Sequence, residues 1–130
     1  MPFVRIDLAR GRTAHARKAI GEIVYRAMTE VINVPAGDKF QVITEHAPED
    51  LNVTPEYLGI RYSPGVVFIQ ITLNQGRTVE QKRTFYRRIA DDLQSELEID
   101  RQDVVINLVE VAKENWSFGN GLAQYVKPEG

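Results

Sequence analysis

Residue 2 is a proline that follows Met1. Removing the methionine would leave a secondary amine at the end of the chain. Neutral, such an amine can abstract a proton or attack a carbonyl; protonated, it can donate a proton or polarise a carbonyl. Positioned acid–base chemistry of this kind is typically worth ~100- to 10,000-fold in rate. With an aldehyde, a secondary amine can also form an iminium ion, which stays cationic and would accept the electrons released when CO2 leaves a 3-oxo acid. A carboxylate substrate needs an anchor, and the flat guanidinium of arginine grips carboxylates in a bidentate manner. Arg12 and Arg77 are both candidates, each set in a Gly-Arg-Thr triplet. Asp38 could orient a water or hydrogen-bond the amine.

Other chemistries are thinly supplied. The 130 residues include no cysteine, so thiol nucleophiles, thiolate metal sites and disulfides are excluded. The two histidines, His15 and His46, lack ligand-like spacing and read as solvated surface residues. Sixteen basic residues against eighteen acidic ones give a net charge of -2, which offers no electrostatic reason to bind nucleic acid or an anionic membrane. A composition 43% hydrophobic and 26% charged is that of an ordinary soluble domain. The opening segment carries Arg5, Asp7 and Arg10 and has no apolar leader core. A cytoplasmic location and a single domain spanning residues 1–130 are expected.

The elements that must position these residues repeat. Gly11-Arg12-Thr13 recurs as Gly76-Arg77-Thr78, an offset of 65 residues, and the same offset pairs Phe3 with Phe68, Ile6 with Ile71, Leu8 with Leu73 and Asp38 with Asp103. Each copy reads as a strand (residues 3–8 and 66–73), a turn, a helix, a loop holding the aspartate, and a second strand (39–45 and 104–111). The first helix, about residues 14–32, sets Ile20, Ile23, Val24, Ala27, Met28 and Val31 on one stripe before Pro35 and Gly37 end it. The second opens with Thr78-Val79-Glu80-Gln81, a capping-box pattern, and carries Phe85, Ile89, Leu93 and Leu97 on one face.

Two β-α-β units side by side predict an α+β layered fold, a four-stranded mixed sheet with both helices on one face. Repeat one covers about 2–46, a connecting segment 47–65, repeat two 66–111 and a C-terminal arm 112–130, either a short hairpin or a reach to a neighbour. Runs such as Val66-Val67-Phe68-Ile69 are apolar enough to predict a large apolar patch on the bare face, and hence oligomerisation through it. The repeat also tempers the chemistry. Asp38 has a mate in Asp103, which favours a shared turn-forming role, and one of the mated arginines could serve only its turn.

A Met-Pro start on a strand, followed by this pseudo-twofold pair, resembles the tautomerase superfamily, most closely its malonate semialdehyde decarboxylase-like members. The matching features are Pro2, the Val-Pro-Ala-Gly-Asp-Lys-Phe-Gln run at residues 34–41, the turn at Arg77, and Asn115-Trp116-Ser117-Phe118-Gly119. The resemblance implies a lyase or hydratase acting on small 3-oxo acids, or an enol–keto isomerase of 2-oxo acids, assembled as a homotrimer without metal or organic cofactor; a non-catalytic ligand-binding trimer is the alternative if Met1 is retained. It implies Pro2 as the catalytic proline, Asp38 as its acidic partner, and Arg77 as the binder of the substrate carboxylate. Arg12 is a secondary candidate, and Trp116 and Phe118 form the apolar wall. The better-known decarboxylase has two arginines in this turn, whereas here Asn74, Gln75 and Gly76 leave Arg77 alone.

An ordinary amino terminus titrates at roughly 7.7–8.0, and a secondary amine somewhat higher. Asp38, if close, favours the cation, while Trp116 and Phe118 disfavour it by desolvation. The charged neighbour is expected to prevail, leaving Pro2 mostly protonated at neutral pH.

Overall fold

The computed structural model describes residues 1–128, so Glu129 and Gly130, the end of the expected arm, lie outside the described residues. The repeat shows first in the turns. Gly11 and Gly76 both adopt φ +130°, a backbone state that glycine enters freely and other residues do not. Both copies therefore leave the sheet by the same turn, and the threonine that follows each arginine caps a helix. Thr13 Oγ1 accepts the Ala16 N–H at 3.1 Å, and Thr78 Oγ1 accepts the Gln81 N–H at 3.1 Å. The Gln81 side chain accepts the Thr78 N–H in return at 2.9 Å, so the capping box predicted from sequence is formed.

The strands are β1 (Phe3–Ala9), β2 (Gln41–His46), a two-residue ribbon of β3 (Glu56–Tyr57) and β4 (Ile60–Arg61), β5 (Val67–Asn74) and β6 (Val104–Val111). The helices are α1 (Ala14–Val31) and α2 (Val79–Leu97). Each helix is followed by a residue in the left-handed region, Asn33 at φ 59° and Glu98 at φ 56°. The next N–H, of Val34 or Ile99, then bonds back to the Met28 or Leu93 carbonyl at 3.0 and 3.2 Å. The sheet order is β2-β1-β5-β6, with β1–β2 and β5–β6 parallel and β1–β5 antiparallel. This is the mixed four-stranded sheet read from sequence.

Alternation along the strands sends Val4, Ile6 and Leu8 of β1 and Val67, Ile69, Ile71 and Leu73 of β5 into the core, all buried. They meet Ile20, Val24 and Met28 of α1 and Phe85, Ile89 and Leu93 of α2. Truncating such a side chain to alanine costs about 2–5 kcal/mol. Gly21 of α1 lets β2 come close: Gln41 Nε2 donates to the Gly21 carbonyl at 2.9 Å, and a Cβ at residue 21 would collide with the Gln41 side chain. The helices run antiparallel, tied across the repeat by Arg26 to Asp92 (3.2 Å) and Arg88 to Glu30 (3.1 Å).

Two expectations are corrected. The bare sheet face is mixed rather than apolar, because alternation splits the Val66–Ile69 run: Val67 and Ile69 face the helices, and only Phe68 joins the outer face. There it lies among Arg5, Asp7, His46, Gln70 and Asn107 as well as Phe3, Val42 and Val109. Asp7 bonds His46 at 2.6 Å, and Gln70 bonds Asn107 at 3.1 Å. Among the described residues the arm forms no hairpin. It makes a 3-10 turn at Lys113–Asn115 and folds back on its own chain.

Candidate active site

β1 begins at Phe3, and its first inward residue is pinned by Val4 N–H donating to the Phe40 carbonyl at 2.9 Å. That bond lays the start of the chain beside the loop that carries Asp38. Pro2 is buried and Met1 half-buried. With Met1 in place the Pro2 nitrogen is an amide, so the amine present belongs to Met1. Its pKa lies below the ordinary 8.0. Burial is the largest cause; Asp38 opposes it, and Arg77 and Lys113 add to the lowering. The terminus thus sits in the field of Asp38, Arg77 and Lys113 together. At the Met1 amine desolvation outweighs Asp38 and two cations reinforce it, whereas the expectation stated from sequence applies to the freed Pro2 amine.

Arg77 is held by the fold on two sides. Its Nε donates to the Ile32 carbonyl at the end of α1, and Nη1 to the Asn74 carbonyl at the end of β5, both at 3.1 Å. The other three N–H groups of the guanidinium are enough for one bidentate carboxylate. Glu110, beside Arg77 and Gly76, has a lowered pKa, chiefly because Lys82 Nζ bonds Oε1 at 2.6 Å.

The aromatic wall comes from the arm. Trp116 and Phe118 stack with centroids 5.4 Å apart, Phe118 stacks on Phe40 at 6.1 Å, and Tyr125 meets Phe118 edge-on at 5.2 Å. Offset and edge-on contacts of this kind suit the ring quadrupoles. The indole N–H of Trp116 donates to Asn74 Oδ1 at 2.8 Å, joining the wall to the residue that holds Arg77.

The second repeat-related position is occupied differently. The Asp103 backbone makes the same turn as Asp38, its N–H bonding Asp100 O at 2.9 Å against Asp38 to Pro35 at 3.2 Å. The carboxylates differ. Asp103 is buried and accepts both the N–H (2.8 Å) and the hydroxyl of Ser63. Asp38 has no side-chain bond or ion pair among the described residues. Arg12, mate of Arg77, donates to the Gly65 carbonyl at 3.1 Å. Residues 63–65 therefore lie against Asp103 and Arg12 much as the amino terminus lies near Asp38 and Arg77. Within the chain, the structure brings Pro2, Asp38 and Arg77 to one end of the sheet, and Arg12 to the second position.

Two family models described as tautomerase enzyme match, one over residues 38–119 and one over residues 2–61. The chain belongs to the tautomerase family. A probable tautomerase of Bacillus subtilis (strain 168), YusQ, is 40% identical over 98% of this chain and 100% of its own. A solved malonate semialdehyde decarboxylase inhibited by 3-bromopropiolate superposes with a TM-score of 0.87 at 39% identity, covering 95% of this chain and 93% of its own. A second malonate semialdehyde decarboxylase, described with decarboxylase and hydratase activities, gives 0.86 at 32% identity, with 95% of each chain covered. The fold of this tautomerase and its likeness to the decarboxylase branch are as the sequence implied.

Sequence reasoning missed Lys113, Asn74, Glu110, Phe40 and Tyr125 as neighbours of the site. One signal was available. The 3-10 turns Pro48–Asp50 and Lys113–Asn115 obey the 65-residue offset, so carrying the repeat past residue 111 aligns Lys113 with Pro48 and Trp116 with Leu51. Among the described residues no three His, Cys, Asp or Glu side chains gather as a metal ion would need. Among the same residues no helix is long and apolar enough to cross a membrane.

Proposed function

We propose that this tautomerase-family chain decarboxylates small 3-oxo acids of the malonate semialdehyde type, with Pro2 as the reacting group once Met1 is removed. The observation that carries the reading is that the Met1 amine, one residue from Pro2, lies within the field of Asp38, Arg77 and Lys113. Arg77 anchors the substrate carboxylate through its three free N–H groups. Trp116 and Phe118 present an apolar face to the rest of a small substrate, and Asp38 holds a water or hydrogen-bonds the amine. Arg12, at the repeat-related position, has a supporting role in its own turn.

The step balances without a cofactor. The neutral amine of Pro2 attacks the aldehyde carbon, and loss of water gives an iminium. The C–CO2 bond breaks, its electron pair passes into the iminium to form an enamine, and CO2 leaves. Protonation at carbon and hydrolysis return the amine and an aldehyde one carbon shorter. The charge grip on the carboxylate orients the substrate but cannot itself supply the rate, since it stabilises the ground-state anion more than a transition state that is losing that charge. The iminium must supply it.

An enol–keto isomerisation of 2-oxo acids is the second reading. It needs only that the neutral amine of Pro2 shuttle a proton, with no covalent adduct. A homotrimer joined through the mixed sheet face belongs to either reading, as does action on a free small molecule in the cytoplasm.

The test uses protein whose loss of Met1 is confirmed by intact mass. Incubation with 3-oxopropanoate should release CO2, and borohydride added during turnover should reduce the iminium and leave a mass increment on the peptide that begins at Pro2. Rapid ketonisation of enol substrates with no CO2 and no trapped adduct would establish the second reading instead. Retention of Met1 in the active protein would exclude both.

A further inference from the structure

We propose that Asn74 is a positioning residue that fixes the indole of Trp116 relative to Arg77, so that the apolar wall and the carboxylate anchor are presented at one set separation. The wall and anchor roles rest on the proposed function; the bond geometry does not. The indole N–H can only donate, so its 2.8 Å contact assigns the Asn74 amide: oxygen toward Trp116, nitrogen away. The main-chain carbonyl of the same residue accepts from Arg77 Nη1 at 3.1 Å. One residue at the end of β5 is thus bonded to a side chain from the arm and to a side chain from the turn before α2.

The repeat shows that the fold does not need this bond. At an offset of 65 residues the mates of Asn74 and Trp116 are Ala9 and Leu51, neither with a polar side chain. Ala9 and Leu51 line one cavity of about 590 Å³ in the other copy, where the same turns are built without the hydrogen bond. Among the described residues the polar pair occurs only in the second copy, whose Arg77 and Lys113 lie near the amino terminus. Without it, Trp116 keeps its stack on Phe118 and a long backbone bond to Lys113 O at 3.4 Å. Arg77 keeps both backbone partners whatever the side chain at 74.

The test exploits Trp116 as the only tryptophan in the chain, so indole emission reports on it alone. Asn74→Ala should be tolerated, because alanine already stands at the equivalent Ala9. It should raise acrylamide quenching of the indole and lower its anisotropy, whether or not any substrate turns over. With 3-oxopropanoate, kcat should fall about 2- to 10-fold, the worth of one net hydrogen bond. Inhibition by malonate, read through Arg77, should stay within about twofold if the anchor is undisturbed. Asn74→Asp, which keeps an acceptor for the indole, should restore the emission. In a Trp116→Phe background, Asn74→Ala should cause no further loss of kcat. Unchanged emission in folded Asn74→Ala, or the same kcat loss with Phe at 116, would overturn the proposal. Absence of turnover in the parent protein would count against the proposed function while leaving the emission result to decide this one.

Discussion

The repeat makes a sharp test of Arg77 possible, because Arg12 stands in the same turn and serves as its control. Arg77 spends two N–H groups on the Ile32 and Asn74 carbonyls and leaves three for a ligand. Replacing it with alanine removes a charge-assisted pair worth about 1.5–3 kcal/mol, or about a 10- to 150-fold loss in kcat/KM for carboxylate substrates. The same change removes two backbone tethers and should cost about 1–3 kcal/mol of stability. Arg12→Ala loses one tether, to Gly65, and should cost about 0.5–1.5 kcal/mol of stability with little change in kcat/KM. Arg77→Lys keeps the charge without the fork and should fall between. Arg77 lowers the pKa of the Met1 amine, and a cation in that place acts in the same direction on a freed Pro2, so its removal should move the ionisation seen in the pH–rate profile upward, an effect Arg12→Ala should lack. The assay is steady-state kinetics with 3-oxopropanoate from pH 5 to 9, with melting curves for each variant. Equal kcat/KM losses in Arg77→Ala and Arg12→Ala, or a loss of stability alone in Arg77→Ala, would refute the assignment.

Asp38 raises the pKa of the Met1 amine, and its charge should act in the same direction on a freed Pro2, so Asp38→Asn should lower the Pro2 pKa; NMR titration of labelled Pro2 should show it, and an unmoved value would leave Asp38 a turn residue. The solution mass should be close to three times 14.8 kDa by light scattering, and a stable monomer would contradict assembly through the sheet face. Glu110 has a depressed pKa, so its pairing stabilises the fold above the ordinary carboxylate value of 4.5 and loses that contribution as pH falls through the folded value. Lys82→Met should therefore flatten the acid side of the pH–stability curve, measured by urea unfolding between pH 3 and 6.

The frame of the protein was legible because its devices are local. A glycine at φ +130°, a threonine cap and a left-handed residue after each helix are short-range features, and all recur at the 65-residue offset. Much of the site was not local. The polarity of the bare face turned on which member of Val66–Ile69 faces outward, a one-residue alternation invisible to a count of apolar residues. The Trp116–Asn74 bond joins residues 42 apart, and the Ser63–Asp103 bond residues 40 apart. Those two bonds distinguish the copies. A duplicated β-α-β unit builds two equivalent ends, but a chain has one amino terminus to place in them. At the second end Ser63 takes the carboxylate of Asp103, and Gly65 takes the guanidinium of Arg12. At the first, Asp38 and Arg77 keep hydrogen-bonding capacity that nothing else in the described chain uses up. The asymmetry that sequence alone could not assign between Arg12 and Arg77 thus has a plain physical source: the segment joining the repeats fills one of two matching positions and leaves the other open at the terminus.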